Sequence, residues 1–227
     1  MQTLAERLSR VRGAIRAAEQ KYARAPGSVQ LLAASKAQPA AAIRALAELG
    51  MRAFGENYLK EALEKQDALS KYGLEWHFIG HIQSNKTRDI ASRFAWVHSV
   101  DRAKIAQRLA AQRSPEAPPL NVCIEVNIDC QPNKSGVYPD DLDALAADVA
   151  ALEGLRLRGL MAIPMPRADV SEQRRAFAQL RLARDRLNES GFRMDTLSIG
   201  MSADLESAIA EGATIVRIGT ALFGLRA

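Results

Sequence analysis

The feature that most restricts how this chain can fold is a repeated alternation of eight short apolar runs with stretches of helical periodicity. The runs are Leu31 to Lys36, Arg52 to Gly55, Trp76 to Ile79, Trp96 to Val100, Leu120 to Asn127, Leu157 to Ile163, Thr196 to Ile199 and Thr214 to Ile218. Strands separated by helix-length segments do not pair as tight hairpins; they pair in parallel, with the helices as crossovers. Eight such units predict an α/β fold, a single TIM-like (β/α)8 barrel. An open doubly wound sheet is the alternative arrangement of the same pattern.

An extra N-terminal helix is expected ahead of the first run, because Leu4, Leu8, Val11 and Ile15 recur at helical spacing. Pro39 opens one crossover helix and Gly50 closes it. Pro139 and Gly154 bracket another, whose Leu142, Leu145, Val149 and Leu152 share a face, and Ser202 is expected to cap a short helix ending at Gly212. The 227 residues show no composition break, no internal repeat and no linker longer than Ser114 to Pro119, so residues 1–227 read as one domain.

Composition removes several classes of function. A chain that is 48% hydrophobic and 25% charged is neither disordered nor fibrous. Its 23 arginines against 8 lysines give a net charge of +5, but they are scattered beside acidic residues, as in Leu4 to Arg24 and Arg174 to Arg186. With only 5% aromatic residues, no massed basic face with stacking rings is expected for nucleic acid. Cys123 lies in an apolar run and Cys130 in a turn, a spacing that matches no metal or redox pair and suits a reducing compartment. No run reaches the ~18 consecutive apolar residues of a membrane helix. Glu6 and Glu19 set the first helix apart from an acid-poor targeting peptide. The expectation is a cytoplasmic monomer with no metal, membrane or nucleic-acid partner.

In a barrel the chemistry gathers at the carboxyl ends of the strands. Lys36 ends the first run there; Glu56 and Asn57 follow the second, His81 the third, Ser99 and Asp101 the fourth, Asn127 the fifth, and Ser198 lies in the seventh. Strand alternation places Lys36 on the face of Leu32 and Ala34, pointing inward, where lost hydration would lower its pKa and make its amine a nucleophile toward carbonyls. The alternative is that it snorkels to the rim. The other seven lysines sit in helical or loop surroundings that call for no special account.

Two further segments, Ser198-Ile-Gly-Met-Ser202 and Arg217-Ile-Gly-Thr220, follow or end the last two runs. Gly200 and Gly219 let backbone N–H groups approach an anion, and helices beginning near Ser202 and Thr220 would aim their positive ends at it. Arg217 is expected to point inward, either neutralised by Glu56 or Asp195 or facing a ligand atom. An inward lysine, a phosphate cradle and an inward arginine together suit a phosphorylated aldehyde held as a Schiff base, and pyridoxal 5′-phosphate (PLP) fits best. Arg217 would then donate to the pyridine nitrogen and, because arginine keeps its proton, leave the ring a weak electron sink.

The chain also resembles a known family. Trp76-His-Phe-Ile-Gly-His-Ile-Gln-Ser-Asn-Lys86, with Leu32-Ala-Ala-Ser-Lys36, Phe54-Gly-Glu-Asn-Tyr58, Asn133-Lys-Ser-Gly136 and the two glycine segments, is similar to the pyridoxal phosphate homeostasis protein family, in order from about Leu31 to Gly224. The resemblance implies a barrel like the N-terminal domain of alanine racemase, with Lys36 as the imine lysine and no established turnover. It also implies that Asn57 approaches the cofactor ring and that Ser198, Ser202, Gly219 and Thr220 hold its phosphate. His77 and His81 are either near the cofactor or packed under the rim; as a metal pair they fail, since four strand residues separate them by ~13 Å. Lys134 is either a secondary aldehyde or phosphate contact or a solvated turn residue.

Three functions compete. The first is a PLP carrier or buffer that serves PLP-dependent apoenzymes and has no catalytic residues of its own. The second is a PLP-dependent amino-acid racemase or lyase; racemisation needs a second acid/base group, which alanine racemase draws from a second domain and a partner chain, and no such domain is expected after Gly224. The third is a barrel enzyme using Lys36 toward a sugar phosphate.

Overall fold

The computed structural model describes residues 2–224. Its strands are β1 (Gln30–Ala34), β2 (Ala53–Glu56), β3 (Glu75–Phe78), β4 (Trp96–Val100), β5 (Leu120–Glu125), β6 (Leu155–Met161), β7 (Thr196–Ser198) and β8 (Ile215–Ile218). Each pairs in parallel with its sequence neighbour, and β8 pairs with β1, with Leu32 opposite Arg217 and Ala33 opposite Ile218. The sheet is therefore closed, and all eight apolar runs are strands of one barrel. The open-sheet alternative is excluded.

The helices are α1 (Leu4–Lys21), α2 (Ala40–Glu48), α3 (Leu59–Ala68), α4 (Thr87–Arg93), α5 (Ala103–Gln112), α6 (Leu142–Ala150), α7 (Val170–Glu189), α8 (Leu205–Ala210) and α9 (Thr220–Phe223). α1 starts at a capping box in which Thr3 and Glu6 satisfy each other's backbone N–H groups. It buries Leu8, Val11, Ile15 and Ala18. α9 spans only four residues, too short to cover the seam between β8 and β1. α1 packs against α8, α9 and α2 and fills that outer position, and Arg7 Nε donates to the Leu222 carbonyl at 2.7 Å.

Pro39 is the N-cap of α2, and a 3₁₀ turn at Pro139–Asp141 leads into α6, as the proline positions predict. Ser202 does not cap α8, whose N-cap is Asp204; the Ser202 hydroxyl instead accepts from Ala221 N at 3.4 Å. Among the described residues, no helix is long and apolar enough to cross a membrane.

Candidate functional site

Lys36 stands at the carboxyl end of β1, but not in the strand. β1 ends at Ala34, and Lys36 and Ala37 form a turn in which Ala37 adopts φ 58°. Strand alternation therefore does not reach Lys36, which is half-buried in the turn between β1 and α2. Both neighbours of Lys36 are anchored. Ser35 Oγ donates to Glu56 Oε1 at 2.6 Å, the Ser35 carbonyl accepts from Lys65 Nζ at 2.8 Å, and Ala37 N donates to Glu61 Oε1 at 2.7 Å.

Lys65 also bonds Glu56 at 2.8 Å and pairs with Glu61 on its own helix. It is thus a buried ion-pair residue, an exception to the expectation that only Lys36 needs an account. Glu61 lies one turn away on the same helix, whereas the Ser35 carbonyl and Glu56 on β2 are acceptors that the sequence does not reveal. Burial pushes the Glu56 carboxyl up, against the pull of Lys65 and Ser35.

The β7 and β8 ends lie beside this turn. Ala33 on β1 aligns with Ile218, so Gly219 and Thr220 leave the barrel next to Ser35 and Lys36. Arg217 N donates to the Gly200 carbonyl at 2.9 Å, tying the Ser198 to Ser202 segment to the same corner. Gly200 has φ 93°, and a Cβ there would lie 2.5 Å from Ala208 Cβ, so both the backbone and the packing under α8 require glycine. Ser198, Gly200, Ser202, Gly219 and Thr220 are thereby gathered at one corner of the mouth.

Arg217 is buried and points inward, as expected, but neither proposed carboxylate neutralises it. Its Nη1 donates to the Ser198 carbonyl and, at 2.7 Å, to Ser198 Oγ; its Nη2 donates to the Ala162 carbonyl at 3.0 Å. Glu56 is taken by Lys65, and Asp195 is held by Arg158 at 2.7 Å. Burial lowers the Arg217 pKa to about 10, opposed through space by Glu125 and Asp204. The guanidinium remains charged at neutral pH.

The barrel interior carries polar groups that no strand pattern announced. His77 and His98 are fully buried. His77 Nε2 lies 2.8 Å from Glu75 Oε1, His77 Nδ1 lies 2.9 Å from His98 Nε2, and His98 Nδ1 lies 2.8 Å from Ser198 Oγ. Burial pushes both imidazoles below the usual histidine range, His98 strongly. Glu125, the last residue of β5, is pushed up to about 7 by burial, with Asp101 adding to the effect. His98 on β4 and Ser198 on β7 are 100 positions apart, so closure of the barrel is what brings these two together.

The remaining candidates separate. Asn57 Oδ1 is buried with no hydrogen-bond partner among the described residues. His81 is exposed and within 3.1 Å of Ser135 Oγ, while Lys134 is exposed in the loop after β5. Asn127 organises that loop, with Nδ2 donating to the Gln131 carbonyl at 2.7 Å and Oδ1 accepting from Gln131 N. Buried Cys123, its thiol pushed up to about 12, and exposed Cys130 are unpaired.

Residues 8–227 match the family described as the N-terminal domain of alanine racemase. A pyridoxal phosphate homeostasis protein from Pseudomonas aeruginosa is 58% identical over 226 residues, spanning 100% of this chain and 97% of that protein. This chain belongs to the pyridoxal phosphate homeostasis protein family. The Escherichia coli member is 49% identical over 229 residues, covering 100% of this chain and 98% of its own length. Among solved structures, PipY of Synechococcus elongatus, determined with PLP bound, has a TM-score of 0.86 and 39% identity, over 98% of this chain and 100% of PipY. An alanine racemase from Corynebacterium glutamicum, 19% identical, shares the fold with a TM-score of 0.69, over 96% of this chain and 61% of the racemase.

The segment Trp76 to Lys86, which carried the resemblance to the homeostasis family, does three separate things. His77 sits inside the barrel and His81 is exposed outside it. Gly80 lies against the backbone of Asn57: a Cβ there would come within 2.2 Å of the Asn57 carbonyl. Ser99 Oγ then donates to the Gly80 carbonyl at 2.5 Å and fixes this contact from β4.

Proposed function

We propose that the chain binds PLP at the barrel mouth, with Lys36 as the lysine that holds it, and carries or buffers the cofactor for PLP-dependent apoenzymes without turning over a substrate. The observation that carries this reading is the convergence of the Lys36 turn, the glycine segments after β7 and β8, and the Arg217 cation on one corner of the mouth. The PLP bound to PipY and the homeostasis role named for the relatives support it.

The residues present fit the group. PLP supplies an aldehyde that a lysine amine can capture as an imine, a pyridine ring and a phosphate dianion. Lys36 is presented on a turn fixed at both flanks. The backbone at Gly200, Ser202, Gly219 and Thr220 would offer its main-chain N–H groups to the phosphate. Among the described residues, three of the five Arg217 donors are used inside the barrel, and the others would serve the ring nitrogen. Asn57, whose buried Oδ1 has no hydrogen-bond partner among the described residues, would face the ring. A charged arginine at the ring nitrogen disfavours a pyridinium and with it carbanion chemistry, which suits a carrier.

Adding PLP to the protein should produce a visible absorbance band that Lys36→Ala abolishes while thermal stability stays near that of the parent. A protein that stays colourless with PLP would contradict the reading and favour a sugar-phosphate enzyme. Robust interconversion of L- and D-alanine would establish the racemase instead.

A further inference from the structure

We infer that Glu75, His77, His98 and Ser198 form a directional hydrogen-bond relay that runs from the barrel floor to the mouth and positions Arg217. The four contacts are continuous: Glu75 to His77, His77 to His98, His98 to Ser198, and Arg217 to Ser198, at 2.8, 2.9, 2.8 and 2.7 Å. The inference rests on the PLP reading only for what Arg217 does at the mouth.

The two ends of the relay fix the protons between them. An ionised carboxylate only accepts, so His77 carries a proton on Nε2, and as a neutral imidazole, the form its burial favours, it offers Nδ1 as acceptor. His98 must then donate from Nε2 and accept at Nδ1, and the Ser198 hydroxyl donates to that nitrogen. Ser198 Oγ is left with lone pairs alone, which suits a guanidinium, since arginine never accepts. With both imidazoles neutral, as their burial favours, this proton arrangement satisfies every contact, with a negative charge at the floor and a positive one at the mouth.

The surroundings keep it so. Glu75 is held below the usual carboxylate range, chiefly by its bond to His77, and Gln30 Nε2 also reaches it at 3.3 Å. His77 stacks on Trp96, with ring centroids 5.5 Å apart. The charged groups facing the two imidazoles are Glu75 on β3 and Arg217 on β8, with Arg158 on β6 acting on Glu75 and Glu125 on β5 acting on Arg217. The relay also assigns the Ser198 side chain to Arg217 rather than to a phosphate, because its proton is committed to His98.

The test reads both ends. Nitrogen-15 NMR of the imidazoles in ligand-free protein should show His77 and His98 neutral at pH 6, both protonated on Nε2. Glu75→Ala, a change at the floor, should mix the His77 tautomers, speed rotation of the Arg217 guanidinium and weaken PLP binding about threefold, whereas Glu75→Gln, whose amide oxygen still accepts, should restore all three. His98→Leu should weaken PLP binding about tenfold or more, and His98→Gln much less. A protonated imidazole, the opposite tautomers, or loss of thermal stability in Glu75→Ala with Arg217 rotation and PLP affinity unmoved would overturn the relay. Absence of PLP binding by the unsubstituted protein would overturn the functional reading, while the tautomers in the ligand-free protein would still decide the proton arrangement.

Discussion

At the scale of single residues, the barrel tolerates ionisable groups in its interior by shifting their protonation rather than by pairing them all. Burial holds the Glu125 carboxyl at about 7 against an ordinary 4.5, so between these values the native state keeps a proton that the unfolded chain releases. Stability then falls as pH rises through that interval, and the cost is fully present above it. Glu125→Gln mimics the protonated form, so it should raise stability by ~1–3 kcal/mol at pH 8 and change little at pH 4.5, in urea unfolding at the two pH values. An equal effect at both would show that the carboxyl titrates normally. Gly200→Ala places a Cβ into Ala208 and strains a left-handed residue; it should cost roughly 2 kcal/mol or more and weaken PLP binding, as calorimetry and a PLP titration would show.

At the scale of elements, α3 holds the Lys36 turn from below. Lys65→Ala leaves Glu56 and Glu61 facing each other without their cation and should destabilise the fold by ~3–5 kcal/mol, with part of the loss recovered in Lys65→Ala/Glu56→Gln. Additive losses in urea denaturation would contradict this coupling. The strands and their closure were legible in the sequence because every run is apolar and most crossovers carry proline or glycine punctuation. The end of β1 was not, since the turn depends on a bond from Ala37 to Glu61, 24 residues away. The internal histidines were equally illegible: His98 and Ser198 are 100 positions apart, and only barrel closure makes them neighbours. Arg217 was read correctly as inward from alternation, but its acceptors proved to be a serine and two carbonyls rather than a carboxylate.

At the scale of the whole molecule, a closed barrel with α1 completing its outer layer presents one lysine turn, one glycine-rich corner and one internal cation at a common mouth. If the chain serves as the proposed carrier, purified protein should show no appreciable racemase, decarboxylase or transaminase turnover on common amino acids while exchanging bound PLP with an apoenzyme. In the proposed function Lys36 is the residue that takes the cofactor aldehyde. The most direct test is to load the protein with PLP, reduce with borohydride and map the pyridoxyl label by mass spectrometry. The label is expected on Lys36 and is lost in Lys36→Ala; a label found mainly on Lys134, on Lys65 or spread over surface lysines would overturn the assignment.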